Sequence, residues 1–151
     1  MNNIKLSPKF IETILDDNFG LPDASIVDTA VYPGLGITFD EETFTFTKEP
    51  VSAGFTINET PCTFGEPLNG VIKNTTAISW DKAKEDWTKN GETIKYLGLY
   101  WRRKVDDVES QEPTYDYDLI AVLPLSPEET VLINERMVLE PGSIQIRLTN
   151  R

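Results

Sequence analysis

Carboxylates are the residues with the most latent chemistry in this chain, because two Asp or Glu side chains suffice to hydrolyse a glycosidic bond. Asp40, Glu41 and Glu42 stand together beside a strand-like run, and Asp106, Asp107 and Glu109 stand together in a polar stretch. Neither spacing selects for catalysis. With 25 acidic residues against 14 basic ones, a solvated surface is the expected use of both sets. Asp116 and Asp118 flank Tyr117, so an extended backbone would turn both carboxylates to one side. Calcium needs six or more oxygens, which this motif alone does not supply, and no metal is expected.

The chain contains no histidine. That removes the usual general base, every Ser–His or Cys–His nucleophile pair, and the commonest zinc ligand. Gly34-Leu35-Gly36 lacks the further glycine and basic residue of a phosphate-cradling loop, and reads as a turn between strands. Cys62 is the single cysteine, so no intramolecular disulfide can form, and a buried free thiol is its expected state. No catalytic residue and no cofactor emerge, and the expectation is a protein that is not an enzyme.

Binding chemistry remains. Trp80, Trp87, Tyr96, Tyr100 and Trp101 would serve either as a sugar platform on a receptor-binding tip or as core and subunit packing, and packing is the expected use. Arg102-Arg103-Lys104 directly precede an acidic run, which suits a solvated strand end or a self-complementary charge contact between neighbouring loops. A formal net charge of -11 repels phosphate backbones and anionic membrane surfaces, so neither nucleic acid nor membrane is an expected partner. The start, MNNIKLSPKF, has no apolar core of a signal peptide, and no run approaches the ~18 apolar residues of a membrane span. The expected location until release is the cytoplasm of the producing cell.

The elements that must position these residues are legible in part. Ser7 and Pro8 suit an N-cap and first helical position, and Phe10, Ile11, Ile14 and Leu15 follow at helical spacing. This predicts a helix of about ten residues, ending near Asn18 to Gly20 ahead of Pro22. Its apolar stripe needs a partner surface, which makes Phe10 and Ile14 candidate contacts. From residue 26 onward, short runs rich in Val, Ile, Thr, Phe and Tyr predict many short strands. Phe44 and Phe46 alternate with Thr43, Thr45 and Thr47, and Ile144, Ile146 and Leu148 alternate with Gln145, Arg147 and Thr149, so each run should bury one face.

Glu140-Pro141-Gly142-Ser143 has Pro and Gly where a type II turn requires them, predicting that 130–139 and 143–149 pair and that the last strand is central. Asp81 is placed to cap a short second helix carrying Ala83 and Trp87. The polar stretch between Tyr100 and Leu119 reads as an exposed hairpin loop. Loops of this length carry partner contacts, so Trp101, Arg102, Arg103, Tyr115 and Tyr117 are candidate partner-binding residues. The 151 residues fit one domain able to bury roughly 70% of its unfolded surface. The expected class is mostly β: an antiparallel β-sandwich-like domain over 21–151 with a short N-terminal α-helix within 1–20.

The order of landmarks resembles a family of small phage virion proteins labelled tail-fibre proteins. The residues that carry it are Leu6-Ser7-Pro8-Lys9-Phe10-Ile11, Tyr32-Pro33-Gly34-Leu35 and Glu49-Pro50-Val51-Ser52-Ala53-Gly54-Phe55. They continue with Asn69-Gly70-Val71-Ile72-Lys73-Asn74, Ala77-Ile78-Ser79-Trp80 with Ala83 and Trp87, and Lys95-Tyr96-Leu97-Gly98-Leu99-Tyr100. The pattern spans Leu6 to Leu148 and consists of structural residues. The chain departs from it at Phe55, at Trp80, at Asn90-Gly91-Glu92 and in a longer 102–118 loop. The resemblance implies a virion structural protein of the tail or head fibre apparatus, assembled in the host bacterial cytoplasm. Its implied partners are other virion proteins and copies of itself, as a trimer by family habit. A head-decoration protein, or a module binding a host glycan, is the alternative.

Overall fold

The computed structural model describes residues 4–9, 30–50, 57–104 and 115–147. Ten strands lie among them: β1 (Lys5–Leu6), β2 (Tyr32–Gly36), β3 (Thr38–Asp40), β4 (Thr45–Lys48), β5 (Val71–Lys73), β6 (Ile78–Ser79), β7 (Ile94–Lys104), β8 (Tyr115–Glu129), β9 (Val138–Leu139) and β10 (Gln145–Arg147). Every pairing between them is antiparallel. The chain is mostly β, as its composition predicts.

Four strands make the main sheet, in the order β1-β8-β7-β2. Period-two alternation along β2, β7 and β8 sends Leu35, Leu97, Leu99, Ala121 and Leu123 to one face, where they are buried. Ile78, Trp80, Ala83, Trp87, Val131, Met137 and Ile144 join them in one core cluster. Their segments form a cover built from short ladders, β6 with β9 and β5 with β10. Each large apolar side chain taken out of water here contributes roughly 1.5–3 kcal/mol.

The other face is aromatic, and it corrects the expectation for Gly34-Leu35-Gly36. These residues lie in a buried strand, not a turn. Gly34 stands opposite Gly98 in the β2–β7 ladder. A methyl group at Gly34 would sit 2.6 Å from Tyr100 Cε1, one at Gly36 2.5 Å from Phe46 Cδ1, and one at Gly98 2.8 Å from Phe46 Cε2. The glycines make room for rings pressed against the sheet. The β3–β4 hairpin folds back over this face, with the Ile37 N–H donating to the Lys48 carbonyl at 2.9 Å. Phe39, Phe46 and Tyr96 cluster there, with ring centroids 5.9–6.2 Å apart. Phe46 is half-buried while Thr45 and Thr47 are exposed, the alternation the sequence predicts.

Three further expectations are corrected. The 140–143 turn forms, with Gly142 at φ 81° and the Ser143 N–H on the Glu140 carbonyl at 3.0 Å. Its two flanks do not pair: β9 joins β6 and β10 joins β5, so the last strand lies in a peripheral ladder. No helix forms over 81–88. There the Ala83 and Trp87 N–H groups donate to the Glu135 and Val131 carbonyls at 2.8 and 2.9 Å, so the segment is held by bonds to the distant 131–135 stretch and not by the i to i−4 bonds of a helix. The 102–118 loop is also shorter than expected, since the β7–β8 ladder continues through Arg102↔Tyr117 and Lys104↔Tyr115.

The N-terminal helix lies, from Phe10 on, outside the described residues. Asn69-Gly70 and Asn90-Gly91 both take positive φ at each residue, the type I′ geometry for which Asn-Gly is suited. Cys62 is a buried free thiol, and loss of water around it pushes its pKa up to about 12.

Candidate interaction site

Residues directly opposite across an antiparallel ladder share a face. The register therefore gathers one group of side chains where the β7–β8 hairpin leaves the sheet: Tyr32 stands opposite Tyr100, and Arg102 opposite Tyr117. The Arg102 guanidinium carbon lies 4.6 Å from the Tyr32 ring centroid and 4.2 Å from that of Tyr115. Tyr117 meets Tyr32 edge-on at 6.0 Å and Tyr100 edge-on at 6.4 Å. Tyr32 and Tyr100 are buried, whereas Arg102, Tyr115 and Tyr117 are half-buried.

The arrangement is electrostatically coherent. A cation over the negative face of a tyrosine ring contributes about 0.5–1 kcal/mol at exposed sites and more where water is excluded. Edge-to-face tyrosines present positive ring edges to negative faces. Burial, and secondarily the charge of Glu49, raises the Tyr100 phenol above its ordinary pKa, so this ring stays neutral. The guanidinium is thus held between the ring faces of Tyr32 and Tyr115.

Of the residues singled out from sequence, Arg102, Tyr115 and Tyr117 come together. Trp101 does not join them: one step out of phase along β7, it packs partly buried against the core. Arg103 occupies the register position opposite Asp116. Phe10 and Ile14 lie outside the described residues, as do Asp106, Asp107 and Glu109. Tyr32 and Tyr100 are the members that the loop reading missed. The period-two spacing of Tyr100 with Arg102 and of Tyr115 with Tyr117 carried that signal, but nothing local ties Tyr32 to them.

The other candidates disperse. Asp40, Glu41 and Glu42 lie at the exposed β3–β4 turn, where the Glu42 N–H donates to Asp40 Oδ1 at 2.8 Å and Glu41 pairs with Lys5. Among the described residues, no three His, Cys, Asp or Glu side chains converge on a position for a metal ion. Trp80 and Trp87 are buried and form no exposed platform, and Tyr96 stacks on Phe46 at 6.2 Å.

No protein-family model matches the chain, and no curated protein or solved structure is significantly similar to it. The likeness to small phage virion proteins therefore stands on its landmark residues alone.

Proposed function

We propose that this chain is a non-enzymatic structural component of a bacteriophage particle, an assembly or attachment part of the tail or head fibre apparatus. It docks neighbours through the Arg102–tyrosine cluster. The observation that carries this reading is the guanidinium of Arg102 held between the rings of Tyr32 and Tyr115. Tyrosine and arginine dominate the energetic centres of protein interfaces, and a patch ordered before binding loses little side-chain freedom when it binds. The landmark resemblance supports the virion context, with other virion proteins and copies of this chain, in a trimer, as partners.

In this reading the main sheet and its cover of short ladders form a sandwich-like body. An N-terminal helix presents Phe10 and Ile14 as a second docking stripe. Incorporation into particles tests the proposal, with Arg102→Ala and a Tyr115→Ala/Tyr117→Ala pair checked for folding by circular dichroism. Folded variants that no longer enter particles are expected. Particles that never contain the wild-type chain, or that take up both variants normally, would sink the reading.

A further inference from the structure

The chain has two Asn-Gly turns, alike in backbone shape and unequal in restraint. Asn69 and Gly70 stand at φ 54° and 75°, Asn90 and Gly91 at φ 55° and 80°. The 68–71 turn is closed by two backbone bonds, from the Leu68 N–H to the Val71 carbonyl at 2.9 Å and from the Val71 N–H to the Leu68 carbonyl at 3.0 Å. It runs straight into β5, which β10 holds in register. Among the described residues the 89–92 turn is closed by one bond, from the Glu92 N–H to the Lys89 carbonyl at 3.0 Å. The ladder after it begins only at Ile94.

An asparagine amide can close on the next backbone nitrogen, and a glycine there has no Cβ to obstruct the approach. At Asn90 the Gly91 nitrogen gives its proton to hydroxide and bonds to Cγ. The Cγ–Nδ2 bond breaks, and Nδ2 takes a proton from water and leaves as ammonia. Water then opens the resulting succinimide ring. Addition at Cγ restores the backbone and leaves an aspartate at position 90. Addition at the backbone carbonyl carbon leaves an isoaspartyl link, in which the chain runs through Cγ.

The turn governs how often this happens. A left-handed asparagine sets the following nitrogen nearly opposite its own Cβ about the Cα–C bond, so the ring cannot close until the turn opens. Opening costs the bonds that close the turn, and the 89–92 turn has one to break where the 68–71 turn has two. Asn90 and Gly91 are both exposed, and a methyl group at Gly91 would meet nothing within 4 Å. No acceptor takes the Gly91 N–H among the described residues. Lys48 pairs with the Glu92 side chain, one position beyond the reacting peptide.

We infer that Asn90 is a deamidation site of the folded protein, reacting through the Gly91 nitrogen, and that Asn69 is held back by its second bond. The modification involves no residue of the Arg102 cluster and is independent of the assembly role. The full-length protein is kept in mildly alkaline buffer with and without urea, then digested at acidic pH, and both positions are followed by mass spectrometry. In the folded protein Asn90 should convert to aspartyl and isoaspartyl forms about fivefold faster than Asn69, the factor that one backbone hydrogen bond supplies. In urea both should convert faster and at similar rates. A folded chain still intact at Asn90 when the unfolded chain has converted, or Asn69 reacting as fast as Asn90 in the folded chain, overturns the inference. An unchanged ratio in urea does the same, because the neighbouring side chains and not the turns would then set the rates.

Discussion

Asn74 and Ile144, 70 positions apart, are joined twice: the Ile144 N–H donates to Asn74 Oδ1 at 2.9 Å, and the Asn74 N–H donates to the Ile144 carbonyl at 3.2 Å. Asn74 Nδ2 also donates to the Glu140 carbonyl at 3.1 Å and the Thr76 carbonyl at 2.9 Å, and the Asn74 carbonyl accepts the Gly142 N–H. One buried amide thus replaces the hairpin ladder that the 140–143 turn would otherwise lead into. Asn74→Ala strands the buried Ile144 N–H, whereas the Glu140 carbonyl keeps its bonds from Ser143, and the change is expected to cost about 1–3 kcal/mol, the range for one unsatisfied buried group. Urea unfolding checks this, and a loss under about 1 kcal/mol would show the amide to be dispensable.

Gly36→Ala places a methyl group against the Phe46 ring. Overpacking of this kind costs about 1–3 kcal/mol. In a Phe46→Ala background the same change meets empty space, so its penalty should largely vanish. A double-mutant cycle reads the difference, and purely additive losses would mean that the ring is not what Gly36 accommodates.

Arg102→Ala removes two cation–ring contacts, worth together about 1–2 kcal/mol. Arg102→Lys keeps the charge but loses the planar group that lies against both tyrosines, and should recover less than half of that. Thermal unfolding of the three proteins compares them directly. Full recovery by lysine would reduce the site to simple charge.

Cys62 and Tyr100 set an alkaline limit. Both are raised acids, neutral in the folded chain where they would ionise when unfolded. The folded state then holds more protons, so stability falls as pH rises. For Cys62 the loss begins near the ordinary thiol value of 9.0 and continues to about 12, and Tyr100 adds to it from its ordinary value of 10.0 upward. Denaturant midpoints should decline steadily above pH 9, and the native thiol should resist a disulfide reagent at pH 8 until denaturant is added. Rapid labelling of the native protein would contradict the burial of Cys62.

Local signals read from the sequence held where a residue and its near neighbours decide the outcome. Gly142 takes the left-handed conformation that Pro141-Gly142 predicts. The interaction cluster was half legible. Arg102, Tyr115 and Tyr117 were marked by their place near a long polar stretch, and Tyr100 is tied to Arg102 by period-two spacing, but Tyr32 was not legible, because a ladder register is set across the sheet and leaves no trace in the spacing of one strand.

By itself, then, the sequence determined the strand-rich character of this protein, its tight Asn-Gly and Pro-Gly turns, its lack of imidazole chemistry and its acidic surface. These follow from backbone preferences and side-chain types that act within a few residues. Tertiary structure alone decided that Gly34-Leu35-Gly36 is a strand under aromatic rings, that 81–88 forms no helix, and that β9 and β10 part company after their shared turn. In each case the deciding term is burial against a distant segment, which outweighs local preferences of a few tenths of a kcal/mol per residue.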